Sequence, residues 1–260
     1  MIIAKCPLRI SLIGGSTDLV DFVESYGMGS VISFTPNLYT YVTIHNNNLN
    51  KYIINYTKRE ETKNISEIQN HIVKECFLHF KTPPCTLTFN TDILSTGSGL
   101  ASSSSFIIST IKALCLFQNI KMTNKQICDL SFKIERKINS LAGYQDVYGS
   151  GVGSFKRIDF FSTNKQTYKF LDFSFITNKY SMALINTGIT RKSTNILKTI
   201  NIEKSKKILN FVDQVEQCIF EKNEELFFTL FNAGWQAKKQ TSTQIMANLD
   251  LIQLEKKIIQ

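Results

Sequence analysis

The chain has 260 residues, of which 43% are hydrophobic and 20% are charged, a composition that suits one large globular domain or two modest ones. Its formal net charge is +9. The segment 201–260 carries eight Lys against eight Asp and Glu, so the whole excess lies in residues 1–200. A basic first part suits anionic small molecules or nucleic acid, but the basic stripe of a nucleic-acid reader is missing, and we expect no nucleic-acid partner.

The cysteines indicate a reducing compartment. They are scattered, form no C-x-x-C pair and fall mostly inside apolar runs; they are Cys6, Cys76, Cys85, Cys115, Cys128 and Cys218. This pattern predicts buried, reduced thiols. The sequence also shows no leader peptide and no apolar run of 18 residues, so we expect a soluble, cytoplasmic protein that does not enter a membrane.

The first third of the chain reads as strands separated by turns. Residues 1–13 alternate as an extended segment, and the glycine turn Gly14–Asp18 follows, with Asp18 predicted to cap a helix over Leu19–Tyr26. The next predicted elements are the strands Ser30–Phe34 and Leu38–His45, a hairpin tip at Asn46–Asn48 with the return strand Lys51–Tyr56, a charged loop over Lys58–Asn64, and a helix over Ile65–Phe80.

A Gly/Ser stretch, Ser95–Ser105, joins the predicted strand Thr86–Asn90 to an apolar helix that continues to Phe117. A strand, a flexible loop and a helix N-terminus form an anion site, because the first helical N–H groups lack partners and carry the positive end of the helix dipole. The alternative is a Ser-rich turn that merely caps the helix. No G-x-x-x-x-G-K-[ST] motif occurs in the chain.

The remainder of the chain becomes increasingly helical. Thr123 is predicted to cap a helix over Lys125–Ile138, and residues 140–153 are glycine-rich and irregular. The later predicted elements are a hairpin of Ser154–Phe161 with Gln166–Phe170, a strand Ser181–Asn186, and helices over 192–200, 203–222, 224–239 and 242–260. This order predicts an α+β fold in two packed lobes, with a boundary near residues 165–180.

Three charged residues are candidates for chemistry, each with a structural alternative. Arg9 lies in an apolar strand, which places it either at an edge or beside a carboxylate. Asp146 lies in a glycine-rich bend, where it is either a general base or a turn former. Glu135 lies late in a helix beside Arg136, where a solvated helical pair is the plainer interpretation.

Taken in order, these motifs resemble the GHMP kinases, and among them the D-glycero-D-manno-heptose 7-phosphate kinases. Arg9–Asp18 is similar to the R-x-x-L-x-G-x-x-T-D motif, and Gly97–Ser104 is similar to the Gly/Ser phosphate loop. Further matches are Ile134-Glu135-Arg136, Gly143–Tyr148, Thr187–Arg191 and Trp235–Lys239. The resemblance covers nearly the whole chain.

The resemblance implies a two-lobed fold that uses ATP and Mg²⁺. Residues 1–170 would form a ribosomal protein S5 domain 2-like lobe that binds ATP and Mg²⁺, and residues 171–260 a ferredoxin-like helical lobe, incomplete at its end. The implied activity is phosphorylation of D-glycero-D-manno-heptose 7-phosphate to the 1,7-bisphosphate, for nucleotide-heptose and surface polysaccharide synthesis. The implied partners are the sugar phosphate and ATP, and a homodimer is left open.

The resemblance also implies roles for single residues. Asp146 would be the base, and Arg9 would keep it ionised. Ser103 and Glu135 would hold Mg²⁺. The phosphates of ATP would be cradled by Gly97, Ser98, Gly99, Leu100, Ala101, Ser102, Ser103 and Ser104, and the acceptor would be bound by Gly14, Gly15, Thr17, Asp18, Gly143, Arg191 and Lys192.

Two departures from the family pattern keep alternatives open. The third, glycine-rich family motif does not occur before Gln260, which favours a truncated, non-catalytic binding protein of the same fold as the alternative. Tyr144 stands where the heptose kinases usually have Lys, and a GHMP kinase for another acceptor, such as fucose or mevalonate, is a further alternative.

Overall fold

A computed structural model describes residues 1–93, 97–162, 165–189 and 193–259. Its strands are β1 (Ile2–Pro7), β2 (Ile10–Ile13), β3 (Gly29–Phe34), β4 (Tyr39–His45), β5 (Tyr52–Asn55), β6 (Arg59–Thr62), β7 (Thr86–Thr91), β8 (Lys156–Ser162) and β9 (Lys165–Phe170). Its helices are α1 (Val20–Tyr26), α2 (His71–Phe80), α3 (Ser102–Phe117), α4 (Asn124–Ile138), α5 (Gln145–Val152), α6 (Ser174–Thr177), α7 (Ser193–Leu197), α8 (Ile202–Glu221), α9 (Glu224–Gln240) and α10 (Leu249–Ile259).

The first strands belong to two different sheets. Within the described residues, one sheet has the order β1-β4-β7-β5-β6 and the other β2-β3-β8-β9. The segment predicted as one extended run over 1–13 therefore crosses from one sheet to the other. Pro7 is the last residue of β1, paired with Tyr39, and since proline has no N–H to donate it is suited to the end of a ladder.

The predicted hairpin at Asn46–Asn48 is wrong, because β5 does not pair with β4. Strand β7 lies between them, antiparallel to β4 and parallel to β5. Burial explains the order, since Ile44, Leu87 and Ile54 are fully buried and fit central strands. The charged segment predicted as a loop contains the edge strand β6, whose charged side chains suit an unpaired edge.

Several helix predictions need correction at their ends. The helix expected over Ile65–Phe80 is a 3₁₀ turn, Ile65–Glu67, followed by α2, whose N-cap Asn70 accepts from the Val73 N–H at 3.1 Å. A helix that was not predicted, α5, lies within the segment expected to be irregular over 140–153. The strand expected over Ser181–Asn186 is not formed, and these residues are irregular and exposed. The capping box of Thr123 and Gln126 on α4 confirms that helix start.

Two apolar clusters hold the fold together. The larger joins the five-stranded sheet to α2–α5, and the smaller joins Ile13 and Ile32 of the four-stranded sheet to Phe173, α8 and α9. All six cysteines are free and buried, as predicted. No helix in the described ranges is both long and apolar enough to cross a lipid bilayer. The predicted division at residue 170 stays a prediction.

Candidate active site

An ion pair joins the start of the chain to helix α5. The Arg9 Nη2 and Nε atoms donate to Asp146 Oδ1 at 2.5 and 3.2 Å, and Arg9 Nη1 donates to the carbonyl oxygen of Gly99 at 2.8 Å. Arg9 is 8% exposed, whereas the Asp146 side chain is 37% exposed. Of the two predicted settings for Arg9, a sheet edge or a carboxylate partner, the structure shows the carboxylate partner. One guanidinium thus connects the first motif, the Gly/Ser loop and the helix that carries Asp146.

The crossing between the two sheets places Arg9. Leu8 N–H donates to Leu38 O at 2.8 Å and Arg9 N–H donates to Leu100 O at 3.1 Å, so the backbone is held on both sides of the crossing. Helix α5 approaches closely at Gly149, where a Cβ would stand 3.2 Å from Arg9 Cγ. A larger residue at 149 would therefore press on the stem of the arginine.

The glycine turn is fixed by close backbone packing. Gly14 has φ +97°, and a Cβ there would stand 2.1 Å from Ser30 O, so only glycine fits. Thr17 Oγ1 donates to the carbonyl oxygens of Gly14 and Ser30, each at 2.8 Å. Gly14 and Thr17, both predicted to bind the acceptor, thus stabilise the turn, and their contact with an acceptor stays a prediction.

Asp18 does not cap the following helix, contrary to the prediction. The N-cap of α1 is Leu19, without a side-chain cap, while Asp18 Oδ1 accepts from Ser16 N–H at 3.0 Å and Oδ2 from Gln145 N–H at 3.1 Å. Burial, and secondarily the charge of Asp146, raises the pKa of Asp18. Gly143 is required here, since its Cβ would stand 2.2 Å from Asp18 Oδ2. Asp18 therefore joins the glycine turn to the start of α5.

The Gly/Ser loop enters α3 through left-handed backbone. Gly97, Gly99 and Ala101 have φ of 69°, 75° and 61°. Ala101 is the N-cap of α3 and makes no side-chain cap bond, and the first turn of α3 contains no acidic residue. The absence of a side-chain cap disfavours the interpretation that the serines merely cap the helix. The positive end of this 16-residue helix therefore faces the glycine loop, as in an anion site. Ser95 and Thr96 lie outside the described residues.

Glu135 contacts Ser104, not Ser103. The Ser104 hydroxyl lies 2.8 Å from Glu135 Oε1 and 2.7 Å from Oε2, and both residues are buried. Ser103, predicted to share a metal with Glu135, is exposed, because successive helical residues point about 100° apart. The solvated-pair interpretation of Glu135 is also wrong, since burial, and secondarily the charge of Asp146, raises the pKa of Glu135 to about 8.

Two lysines near the site were not singled out by the sequence. Lys156 has no exposed surface, and its ammonium donates to the carbonyl oxygens of Gly149 at 2.6 Å and Ser154 at 3.2 Å. Burial lowers the pKa of Lys156 to about 7. Lys238, near the end of α9, donates from Nζ to Ser16 Oγ in the glycine turn. The Trp235–Lys239 match was the signal that could have pointed to Lys238.

Tyr144, the departure that left another sugar open, belongs to the core. It is fully buried, and its ring stacks on Phe132 and Phe160 with centroid separations of 4.3 and 5.3 Å. Its side chain therefore faces apolar neighbours. The predicted acceptor residues Arg191 and Lys192 lie outside the described residues.

Comparison with known proteins identifies similar chains. Residues 66–154 match the family model "GHMP kinases N terminal domain". The chain is 26% identical over 281 residues to the D-glycero-alpha-D-manno-heptose 7-phosphate kinase of Campylobacter jejuni, covering 97% of this chain and 81% of that protein.

Solved structures share the fold. A D-glycero-D-manno-heptose 1-phosphate kinase from Bacteroides thetaiotaomicron superposes with a TM-score of 0.73 at 21% identity, covering 92% of this chain and 80% of that one. The Streptococcus pneumoniae phosphomevalonate kinase, solved with phosphomevalonate and AMPPNP, gives a TM-score of 0.73 at 13% identity, covering 94% and 81%. The predicted α+β, two-lobed fold is confirmed.

Proposed function

We propose that this chain is a sugar kinase of the GHMP family and that it phosphorylates a hydroxyl of a sugar phosphate. The match of residues 66–154 to the model of the GHMP kinase N-terminal domain and the 26% identity to a heptose 7-phosphate kinase support this proposal. The proposed acceptor is D-glycero-D-manno-heptose 7-phosphate, and the product is the 1,7-bisphosphate. The likeness to the Campylobacter jejuni heptose 7-phosphate kinase over nearly the whole chain supports this acceptor.

The ion pair of Arg9 and Asp146 carries the proposal. The Asp146 side chain is 37% exposed while Arg9 beside it is buried, so the carboxylate is accessible to a substrate. In the proposed reaction this carboxylate accepts the proton of the attacking hydroxyl and orients its oxygen. Arg9 holds the carboxylate in place and ties it to the loop at Gly99, the loop proposed to cradle the phosphates of ATP.

The residues around Glu135 fit a divalent cation. Ser104 and Glu135 provide hard oxygen donors directly behind the loop, with the predicted Ser103 beside them on α3. A buried carboxylate whose pKa is raised to about 8 is one that a positive charge would hold ionised. When bound, Mg²⁺ neutralises charge on the phosphates that are transferred and left behind.

An ADP-release assay with MgATP tests the proposed reaction. The acceptors are D-glycero-D-manno-heptose 7-phosphate, the same heptose without phosphate, fucose, mevalonate and phosphomevalonate. We expect the highest kcat/KM with the heptose phosphate. We expect Asp146→Asn to abolish turnover while AMPPNP still binds. If another acceptor gives a higher kcat/KM, that acceptor replaces the heptose phosphate as the proposed substrate. If no acceptor is phosphorylated, the result favours the non-catalytic binding protein.

Matched serine variants test the metal site. We expect Ser104→Ala to raise the Mg²⁺ concentration needed for half-maximal rate, because it removes the hydroxyl that contacts both oxygens of Glu135. Ser103→Ala is the neighbouring comparison, since Ser103 is the predicted ligand and faces outward. If neither change alters the Mg²⁺ dependence, these serines do not hold the metal.

A further inference from the structure

Helix α9 comes unusually close to the site. At Gly234 a Cβ would stand 2.2 Å from Ile13 Cδ1, so the helix backbone lies directly on β2. Lys238 follows four residues later and therefore lies on the same face of α9. The close approach at Gly234 brings the lysine to the glycine turn that begins immediately after Ile13.

The ammonium of Lys238 sits between the glycine turn and the start of α5. It donates to Ser16 Oγ, and a Cβ on Gly15 would stand 3.5 Å from Lys238 Nζ and 3.5 Å from both amide atoms of Gln145. The side chain of Gln145 is fixed on its other side, where its Oε1 accepts from Ser11 Oγ at 3.0 Å. The Lys238 ammonium and the Gln145 amide thus lie side by side over Gly15.

The charges around Lys238 leave its own charge without a direct partner. Among the described residues it forms a hydrogen bond with a neutral hydroxyl and no ion pair. The nearby carboxylates are occupied, Asp18 by backbone N–H groups and Asp146 by Arg9. Burial lowers the pKa of Lys238 to about 8, against the charges of Asp18 and Asp146, which raise it. A partly buried ammonium in this setting favours an anionic ligand.

We propose that Lys238, together with the hydroxyl of Ser16, binds the phosphate that the acceptor already carries, and so makes the kinase prefer a phosphorylated sugar to a neutral one. This inference rests on the proposed function, because it assigns a group of the proposed acceptor to one corner of the same site. The neighbouring Lys239 provides an internal contrast, since it pairs with Glu255 at 2.8 Å.

The test measures discrimination between D-glycero-D-manno-heptose 7-phosphate and the same heptose without its phosphate. We expect Lys238→Met to lower the ratio of the two kcat/KM values by about 10- to 100-fold, the range for loss of one hydrogen bond to a charged group. The loss should appear in KM for the sugar phosphate, and Lys238→Arg should recover part of it. Lys239→Met is the matched control and should keep the wild-type ratio.

Two further measurements keep the inference decidable. Ser16 has φ +84°, so Ser16→Gly removes the hydroxyl at a position where glycine is favoured, and it should weaken the sugar phosphate in the same direction if Lys238→Met fails to fold. If the wild type turns over no sugar phosphate, the proposed function fails, and calorimetric titration of heptose 7-phosphate into wild type and Lys238→Met decides the binding claim. The inference is overturned if Lys238→Met keeps the wild-type ratio of kcat/KM values or changes only the KM for ATP. It is also overturned if the wild type binds no heptose 7-phosphate or binds it no more tightly than the variant does.

Discussion

The buried ammonium of Lys156 gives the protein a specific dependence of stability on pH. Burial lowers the pKa of Lys156 from 10.5 to about 7. Between these values the unfolded chain binds a proton that the folded chain does not, so the free energy of unfolding rises with pH. The slope is about 1.4 kcal/mol per pH unit and the full effect about 5 kcal/mol. This stabilisation is complete above pH 10.5 and is lost as the pH falls through 7.

Urea unfolding of wild type and Lys156→Met at pH 7.5 and 9.5 measures this effect. The methionine keeps most of the side-chain volume and removes the titrating group. Over these two pH units we expect the wild type to gain roughly 2–3 kcal/mol relative to the variant. Groups common to both proteins, such as Lys238 and Glu135, cancel in the difference. Equal pH dependence of the two proteins would refute the assignment of a neutral amine to the folded state.

Further predictions concern the contacts that position the site. Gly234→Ala puts a methyl group 2.2 Å from Ile13 Cδ1, so we expect a lower Tm and a higher KM for the acceptor. Adding Ile13→Val removes the Cδ1 methyl and should recover part of both. If Gly234→Ala alone keeps the wild-type Tm and KM, the close approach is not required. Arg9 is 8% exposed and the Asp146 side chain 37% exposed, so Asp146→Ala, which strands a buried cation, should cost more stability than Arg9→Met. Chemical denaturation of both variants checks the order, and the reverse order would contradict the burial argument.

The parts of the fold set by local pattern could be predicted from the sequence. Thr123 and Gln126 form the predicted cap of α4, and the hairpin of β8 and β9 follows from alternation around a short connection. The pairing of β5 could not be predicted, because β7 arrives 30 residues later and inserts beside it. No residue pattern near β5 distinguishes its pairing with β7 from a hairpin with β4.

The site shows the same division. Arg9 in an apolar strand predicted either an edge position or a carboxylate partner, and the family resemblance pointed to Asp146, which the structure places beside it. The contact of Ser104 with Glu135 was not predicted, because the sequence does not show where α3 turns its first residues inward, and the metal role of the neighbouring Ser103 stays a prediction. Asp18 looked like a helix cap, but its two oxygens accept from the backbone N–H groups of Ser16 in the turn and Gln145 in α5, which come together only in the folded chain.

The contacts of Arg9 also constrain when the site can form. Its partners Gly99 and Asp146 follow it by 90 and 137 residues. At a synthesis rate of about 5–20 residues per second, Asp146 is added roughly 7–27 s after Arg9. During that interval the arginine has neither its carboxylate nor, at first, its loop carbonyl. Because closing such long loops costs entropy, we expect these contacts to form late in folding, and weakening them should then speed unfolding more than it slows folding. The candidate active site is in this sense a late product of chain assembly, because Asp146 is made well after Arg9.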